Sequence, residues 1–271
     1  YINVILDRSD MNVKNFQHEN FLPDLSDEDK VHGMELLEIQ RQAMLMYTSC
    51  GWFFSEISGI ETVQIMKYAA RAMQLASRFT DKNLEENFLN ILSQAKSNIP
   101  EHGTGKDIFE RFVKPSIVTP KQIASLWALS SLYQDFEDEE QVYCYTITKK
   151  AYKKVHKGTS TFVTGHIEIQ SKITLQKSNL VFALMQYAGG DFHCAIKEYS
   201  DDAEFNKLKN DLIKVYLMNT ITEIIRAMDE YFGKEYFTLK DIFIEERRKI
   251  LQILLKGKLA KFSQIYQQMY D

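Results

Sequence analysis

The chain is 271 residues long, 45% hydrophobic and 26% charged, with a net charge of −4 at pH 7. That is ordinary globular composition, with enough length for one large core or two smaller ones. The acidic balance excludes a global basic field for a nucleic-acid backbone, and no apolar run approaches the roughly 20 residues of a membrane span.

The chain opens on Tyr1 inside the apolar run Tyr1–Leu6 rather than on an initiator Met, and shows no signal peptide. It therefore reads as a piece of a longer polypeptide whose upstream partner is missing. Residues 1–33 are expected to form an irregular approach segment, because 7–33 are polar, poorly periodic and include Pro23.

Residues 34–140 carry helical periodicity and are expected to form a helical bundle. Glu35 to Phe54 reads as a buried helix that stops at Gly51 and then presents Trp52, Phe53 and Phe54 in a row. Ser58-Gly-Ile-Glu61 spells a capping box. The helix behind it carries two apolar stripes, Val63, Met66, Ala70 and Met73, and Ile65, Ala69, Ala72, Ala76 and Phe79, which mark a central helix buried on most sides. A further helix covers 84–96, the run Asn98-Ile-Pro-Glu-His-Gly-Thr-Gly105 breaks the chain, and helix resumes over 107–113. Thr119-Pro120-Lys-Gln122 starts a helix that carries Trp127 and ends near the acidic run 137–140.

From residue 141 to 200 the period changes to two. Strands are expected over 142–148, 151–156, 161–170, 180–187 and 192–199, with Gly189-Gly190-Asp191 as a hairpin signal, and their close spacing fits an antiparallel meander. Residues 201–271 return to helix. Leu208, Leu212, Val215 and Met218 mark one long helix ending at Gly233. Thr238-Leu-Lys-Asp241 caps a last one bearing Ile242, Phe243, Ile250, Leu254, Phe262 and Ile265. The fold class is α+β, mainly α: a helical bundle with an inserted antiparallel sheet and C-terminal helices packing on both.

Acids are abundant, and glycoside cleavage needs two carboxylates facing one another. Glu35/Glu38, Glu137 to Glu140 and Glu245/Glu246 fall on solvent faces or in charge runs. Glu101 stands apart, between Pro100 and His102 in a Gly-bounded loop that either aims both side chains into a cleft or is a plain turn. His193 and Cys194 point to opposite faces of a strand and cannot share a metal. Cys194 belongs with Phe192 and Ile196 in a core, and His166 with Thr164 and Glu168 on a solvated polar face. Lys149, Lys150, Lys153, Lys154 and Lys157 read as a solvated hairpin. There is no GxSxG, Walker loop or GxGxxG, so no nucleophile elbow is expected in this chain, and no metal or cofactor either. Three cysteines without a CxxC spacing point to a reducing, cytoplasmic setting. Trp52 divides evenly between stacking on a pyranose ring and packing in the bundle, whereas Phe53 and Phe54 fit the bundle core better.

Leu36-Leu37-x-x-Gln40 through Tyr47-Thr-Ser-Cys-Gly-Trp-Phe-Phe54, Ser58-Gly-Ile-Glu-Thr62, Tyr68-Ala-Ala-Arg71 and Gln94 to Gly103 form the first half of a distinctive set. Phe112-Val-Lys-Pro115, Tyr143-Cys-Tyr145, Asp191-Phe-His193 and Tyr231-Phe-Gly through Arg247 complete it. Together they resemble a bacterial and archaeal domain of unknown function that follows the catalytic barrel in some proteins of glycoside hydrolase family 57, among relatives of α-amylases and branching enzymes. The resemblance implies catalytic carboxylates upstream of this chain, an α-glucan substrate, and an accessory role in completing the cleft of the barrel. In such relatives a helical region lends an aromatic residue to the cleft through a motif similar to Ser49-Cys-Gly-Trp52. They commonly read Ser-Asp-Trp, so the role of that Asp is absent at Gly51. Trp52 would stack on a sugar, with Ser49, Glu101 and His102 bonding its hydroxyls, while Arg71 pairs with Glu61 or a neighbour inside the bundle. Two rivals remain. A scaffold that only stabilises the barrel or joins protomers predicts a covered Trp52, and an independent carbohydrate-binding module rests on the Tyr143/Tyr145 pair.

Overall fold

The computed structural model describes residues 1–187, 191–218 and 220–268, with side chains at all of these except 244, 257–258 and 260–268. Gly189 and Gly190 of the hairpin signal, and the Phe262 and Ile265 side chains, lie outside the described residues. The described chain is α+β and falls into two compact units, one of residues 1–118 with 172–176, the other of residues 119–171 with 177–271.

The first unit is helical. α1 (Ile2–Leu6) and α2 (Asp10–Asn20) occupy the stretch expected to be irregular, and α3 (Asp27–Leu45) begins within it. The missed signals were caps: Ser9 accepts from Asn12 N–H, and Ser26 from Asp29 N–H. α4 (Ile60–Ala76) starts at a Gly59 cap without the expected Ser58–Glu61 box; Ser58 instead donates its N–H to Glu56. α5 (Leu84–Leu92) stops four residues short of the expected end, and α6 (Gly105–Ile108) runs into a π-turn, Phe109–Val113. Val63, Met66, Ala70, Leu89, Ile108, Phe109 and Val113 make one core, and Val4, Val13 and Met34 make another with Leu175 at its edge.

The second unit is built on a six-stranded antiparallel meander in the order β1 (Glu139–Val142), β2 (Tyr145–Lys157), β3 (Ser160–Ser171), β4 (Lys177–Gln186), β5 (Phe192–Glu198) and β6 (Tyr236–Phe237). The two expected strands at 142–148 and 151–156 are one long strand, β2, whose register shifts at a bulge between Lys149 and Ala151. α7 (Pro120–Ser130) opens on the Thr119–Gln122 capping box and stacks against β3, β4 and β5. The expected long helix after Asp201 is two, α8 (Asp202–Met218) and α9 (Ile221–Phe232), because Thr220 and Glu223 start a second capping box. Phe205, Leu208, Leu212, Tyr216, Ile224 and Met228 of this pair cover the face carrying Phe162, Val181, Ala183 and Met185. α10 (Ile244–Gln268) starts three residues beyond the bonds between Thr238 and Asp241.

With helices on both faces, β4 is buried continuously from Leu180 to Met185 rather than at alternate residues. This overturns the polar face assigned to His166. Thr164 is fully buried and donates its hydroxyl to Phe182 O (2.9 Å), and the His166 ring stacks on Tyr199 at 3.9 Å. Cys194 does lie in the core with Phe192 and Ile196. Gly165 admits the Phe182 ring, which a Cβ there would meet at 2.7 Å. The lysine hairpin is tied down in part: Lys154 Nζ donates to Leu132 O (2.9 Å) just past α7, and Lys149 Nζ to Phe136 O (2.9 Å).

Candidate functional site: an aromatic platform on a clamped loop

α3 ends at Leu45, and a 3₁₀ turn, Ser49–Trp52, follows it. Gly51 within the turn is buried against α4, where Thr62 donates its hydroxyl to Gly51 O (2.6 Å). A Cβ at position 51 would run into the Ile65 side chain, with Cγ1 at 2.7 Å. Only glycine allows this approach, and the approach turns the next three residues outward. Trp52, Phe53 and Phe54 are 58%, 77% and 56% exposed, and the two phenyl rings meet edge to face at 5.1 Å. Phe53 and Phe54 are therefore not bundle core; the chain leaves the helical packing at Gly51 before they begin. Three consecutive exposed rings form the sort of apolar patch that marks a contact surface.

Glu56 clamps this loop to the next. Its carboxylate accepts from Ser97 Oγ (2.6 Å), Asn98 N–H (2.7 Å) and Ser58 N–H (2.8 Å), while Asn98 Nδ2 donates to Ser55 O (2.6 Å). These bonds, that of Ser97 first, hold the Glu56 carboxyl down at about 2, against a smaller opposing effect of desolvation. A carboxylate held ionised by three donors is a fastener and not a proton donor.

Glu101 and His102 lie in a 3₁₀ turn, Pro100–His102, on that second loop. Lys96 bridges to Thr104, Ser97 N–H donates to Gly103 O (3.0 Å), and Gly103 takes φ +66°. Below it Thr104 and Asp107 form a capping box whose bonds hold the Asp107 carboxyl below its ordinary value. Glu101 is exposed; His102 is half-buried, edge-on to Phe112 at 5.5 Å, and its Nδ1 is buried without a partner among the described residues. Ser49 is exposed at the start of the turn that carries Trp52. Ser49 and Trp52 thus share one loop, Glu101 and His102 the other, and Glu56 ties the two loops together. The arrangement offers flat apolar stacking with polar groups on the adjoining loop.

The family described as a domain of unknown function, DUF3536, matches residues 1–243. The chain belongs to that family. No curated protein and no solved structure matches it. The matched span of this DUF3536 member includes both clamped loops and the sheet, and it ends just before α10.

The carboxylates Glu35 and Glu38, expected on a solvent face, are 0% and 1% exposed on α3. Glu38 accepts from Tyr1 OH (2.9 Å), Arg41 Nη1 (2.7 Å) and Gln42 Nε2 (2.8 Å), with Arg8 Nη2 at 3.7 Å. Glu35 pairs through Oε1 with Arg78, and its Oε2 has no partner among the described residues. Burial, reinforced by the Glu38 charge, pushes the Tyr1 phenol up to about 12. The helical spacing of Glu35, Glu38 and Gln42 placed them on one stripe, and the exposed Leu36 and Met44 hid which stripe faces inward. Arg71 bonds Gln74 Oε1 (2.6 Å), a neighbour on α4, rather than Glu61. Among the described residues no group of three or more His, Cys, Asp or Glu could hold a metal ion, and no helix is long and apolar enough to cross a membrane. Tyr143 is half-exposed but Tyr145 is buried, so this pair presents one ring and not a row.

Proposed function

We propose that this chain is the C-terminal accessory part of a cytoplasmic α-glucan-active protein of the glycoside hydrolase family 57 type, in which it completes the substrate cleft of an upstream catalytic barrel. The observation that carries the reading is the exposure of Trp52 on a loop locked by Thr62 and Glu56. A rigid exposed indole loses little entropy when it stacks on the apolar face of a sugar, and aromatic contacts of this kind are worth about 1 kcal/mol. Trp52 positions the glucan; Ser49 and, from the loop that Glu56 holds, Glu101 and His102 bond its hydroxyls. The helices of the first unit act as the bundle that carries these loops, and the chain itself supplies no catalytic carboxylate. The alternative, a scaffold without sugar contact, has a covered Trp52 as its simplest form, and the exposure of that ring favours the glucan reading over it.

The test is turnover of the whole protein on amylose, for wild type and Trp52→Ala, with a thermal melt on each. Stacking predicts a loss of about fivefold or more in kcat/KM at an unchanged melting temperature. Unchanged kcat/KM in a folded variant would overturn it.

A further inference from the structure

The face of β5 that meets α9 gathers four titratable groups that the aromatic platform does not involve: Tyr187 after β4, His193 of β5, Asp229 of α9 and Tyr236 of β6. His193 takes this face because Phe192 and Cys194 take the other, where Tyr133 beyond α7 meets the Phe192 ring edge-on at 6.4 Å.

The His193 ring is half-buried against the Tyr236 ring, with centroids 3.9 Å apart and planes at 43°. Its Nε2 is closed off from water and has no hydrogen-bond partner among the described residues. The Tyr236 hydroxyl donates to Asp229 Oδ1. Beside it the Tyr187 phenol is pushed up to about 12, by burial and then by Tyr236. Asp229 is the charge that acts on His193.

This arrangement suits a neutral imidazole. A bare Nε2 is tolerated there, but a proton on it makes a charged N–H shut off from water and without an acceptor. The carboxylate within electrostatic reach, Asp229, is already engaged by Tyr236. What Tyr236 anchors is slight. β6 is two residues long, and its register with β5 consists of Ala195↔Tyr236 and Cys194↔Phe237. Burial holds His193 below its ordinary 6.5 against the opposing pull of Asp229, so the closed arrangement binds the proton more weakly than an opened one. Closure is therefore complete above pH 6.5, and acid favours opening.

We propose that His193 is an acid-operated latch on β6. Protonation of Nε2 draws the Asp229 carboxylate from the Tyr236 hydroxyl to the imidazolium, and Tyr236 lifts away with β6. The proton comes from solvent and stays on the ring, and no covalent bond changes. The opened β5 edge presents unpaired backbone groups, a template for another strand that the neutral form keeps covered. The proposal does not depend on the glucan reading.

The test is NMR on the full chain between about pH 7.5 and pH 5. It follows the His193 ring titration and the protection of the 236–237 amides, relative to the free-peptide rate at each pH. That protection should fall as His193 titrates, by at most about tenfold per pH unit for one proton, while the β2–β3 amides stay protected. His193→Asn should keep the 236–237 protection flat over the same range. Tyr236→Phe removes the competitor for Asp229, so His193 should titrate at higher pH than in wild type. A histidine that only fills space would be indifferent to that hydroxyl. Asp229→Asn should move the titration the other way. An unchanged His193 midpoint in folded Tyr236→Phe would overturn the latch, as would a fall in 236–237 protection that persists in His193→Asn. Loss of the 236–237 and β2–β3 protection together would mean global acid unfolding and overturn it equally.

Discussion

At the scale of single residues, Glu56 and Gly51 decide whether the aromatic platform exists. Gly51 permits the close approach to Ile65, and Glu56 converts two loops distant in sequence into one surface through bonds to Ser97, Asn98 and Ser58. The Glu56 carboxyl sits at about 2 in the folded protein against an ordinary 4.5, so the fold binds fewer protons there than the unfolded chain does. Its contribution is therefore present above pH 4.5 and is lost as the pH falls towards 2. The protection of the Ser58 and Asn98 amides from exchange, relative to the free-peptide rate at each pH, should fall over that window in wild type. In Glu56→Gln exchange should already be fast at neutral pH; slow exchange at both amides in that variant would show that another contact holds the loops.

At the scale of elements, α3 is held by charge where most helices are held by grease. Its inward stripe is Met34, Glu35, Glu38 and Gln42, all buried. Removing the buried Glu38 carboxylate leaves the half-buried Arg41, Arg8 and Tyr1 hydroxyl without their shared acceptor. Loss of one partner from a fully buried pair costs about 3–5 kcal/mol, and less here because the arginines keep 31% and 20% of their side-chain surface in water. Glu38→Ala should lower the stability of the helical unit by about 2–3 kcal/mol in urea unfolding. A change below about 0.5 kcal/mol would make the network a surface ornament.

At the scale of the whole molecule, titration falls unevenly along the chain. His166 and His193, both in the sheet unit, are held below the ordinary 6.5 chiefly by burial. The Asn179 bond, Asp202 and Glu168 oppose that shift at His166, where Lys150 adds to it, and Asp229 opposes it at His193. The unfolded chain therefore takes up protons first as the pH drops, and stability present above 6.5 is lost below it. With Trp52 replaced by Phe, Trp127 emission reports the sheet unit alone. Its melting temperature should fall between about pH 7.5 and pH 5.5, and fall less in a His166→Asn/His193→Asn variant. Equal slopes in the two proteins would remove the histidines from the account.

The sequence by itself determined what is local. Period-two alternation and close strand spacing gave the antiparallel meander, and the Thr119-Pro120-Lys-Gln122 box gave the start of α7, because both depend on residues within one turn or one strand pair. Trp52 was legible as an outlier, since three rings after a glycine stop break the helical pattern. What only the tertiary structure decided is which way each face points. Ser58 lost its capping role once Glu56 took its N–H, the stripe of Glu35 and Glu38 turned inward, and the His166 face was covered by α8. The Glu56 clamp joins residues 41 and 42 apart in sequence. Apart from the Ser58 cap, which Glu56 displaces from two residues away, each outcome is fixed by a partner remote along the chain, and local periodicity carries no information about where that partner lies.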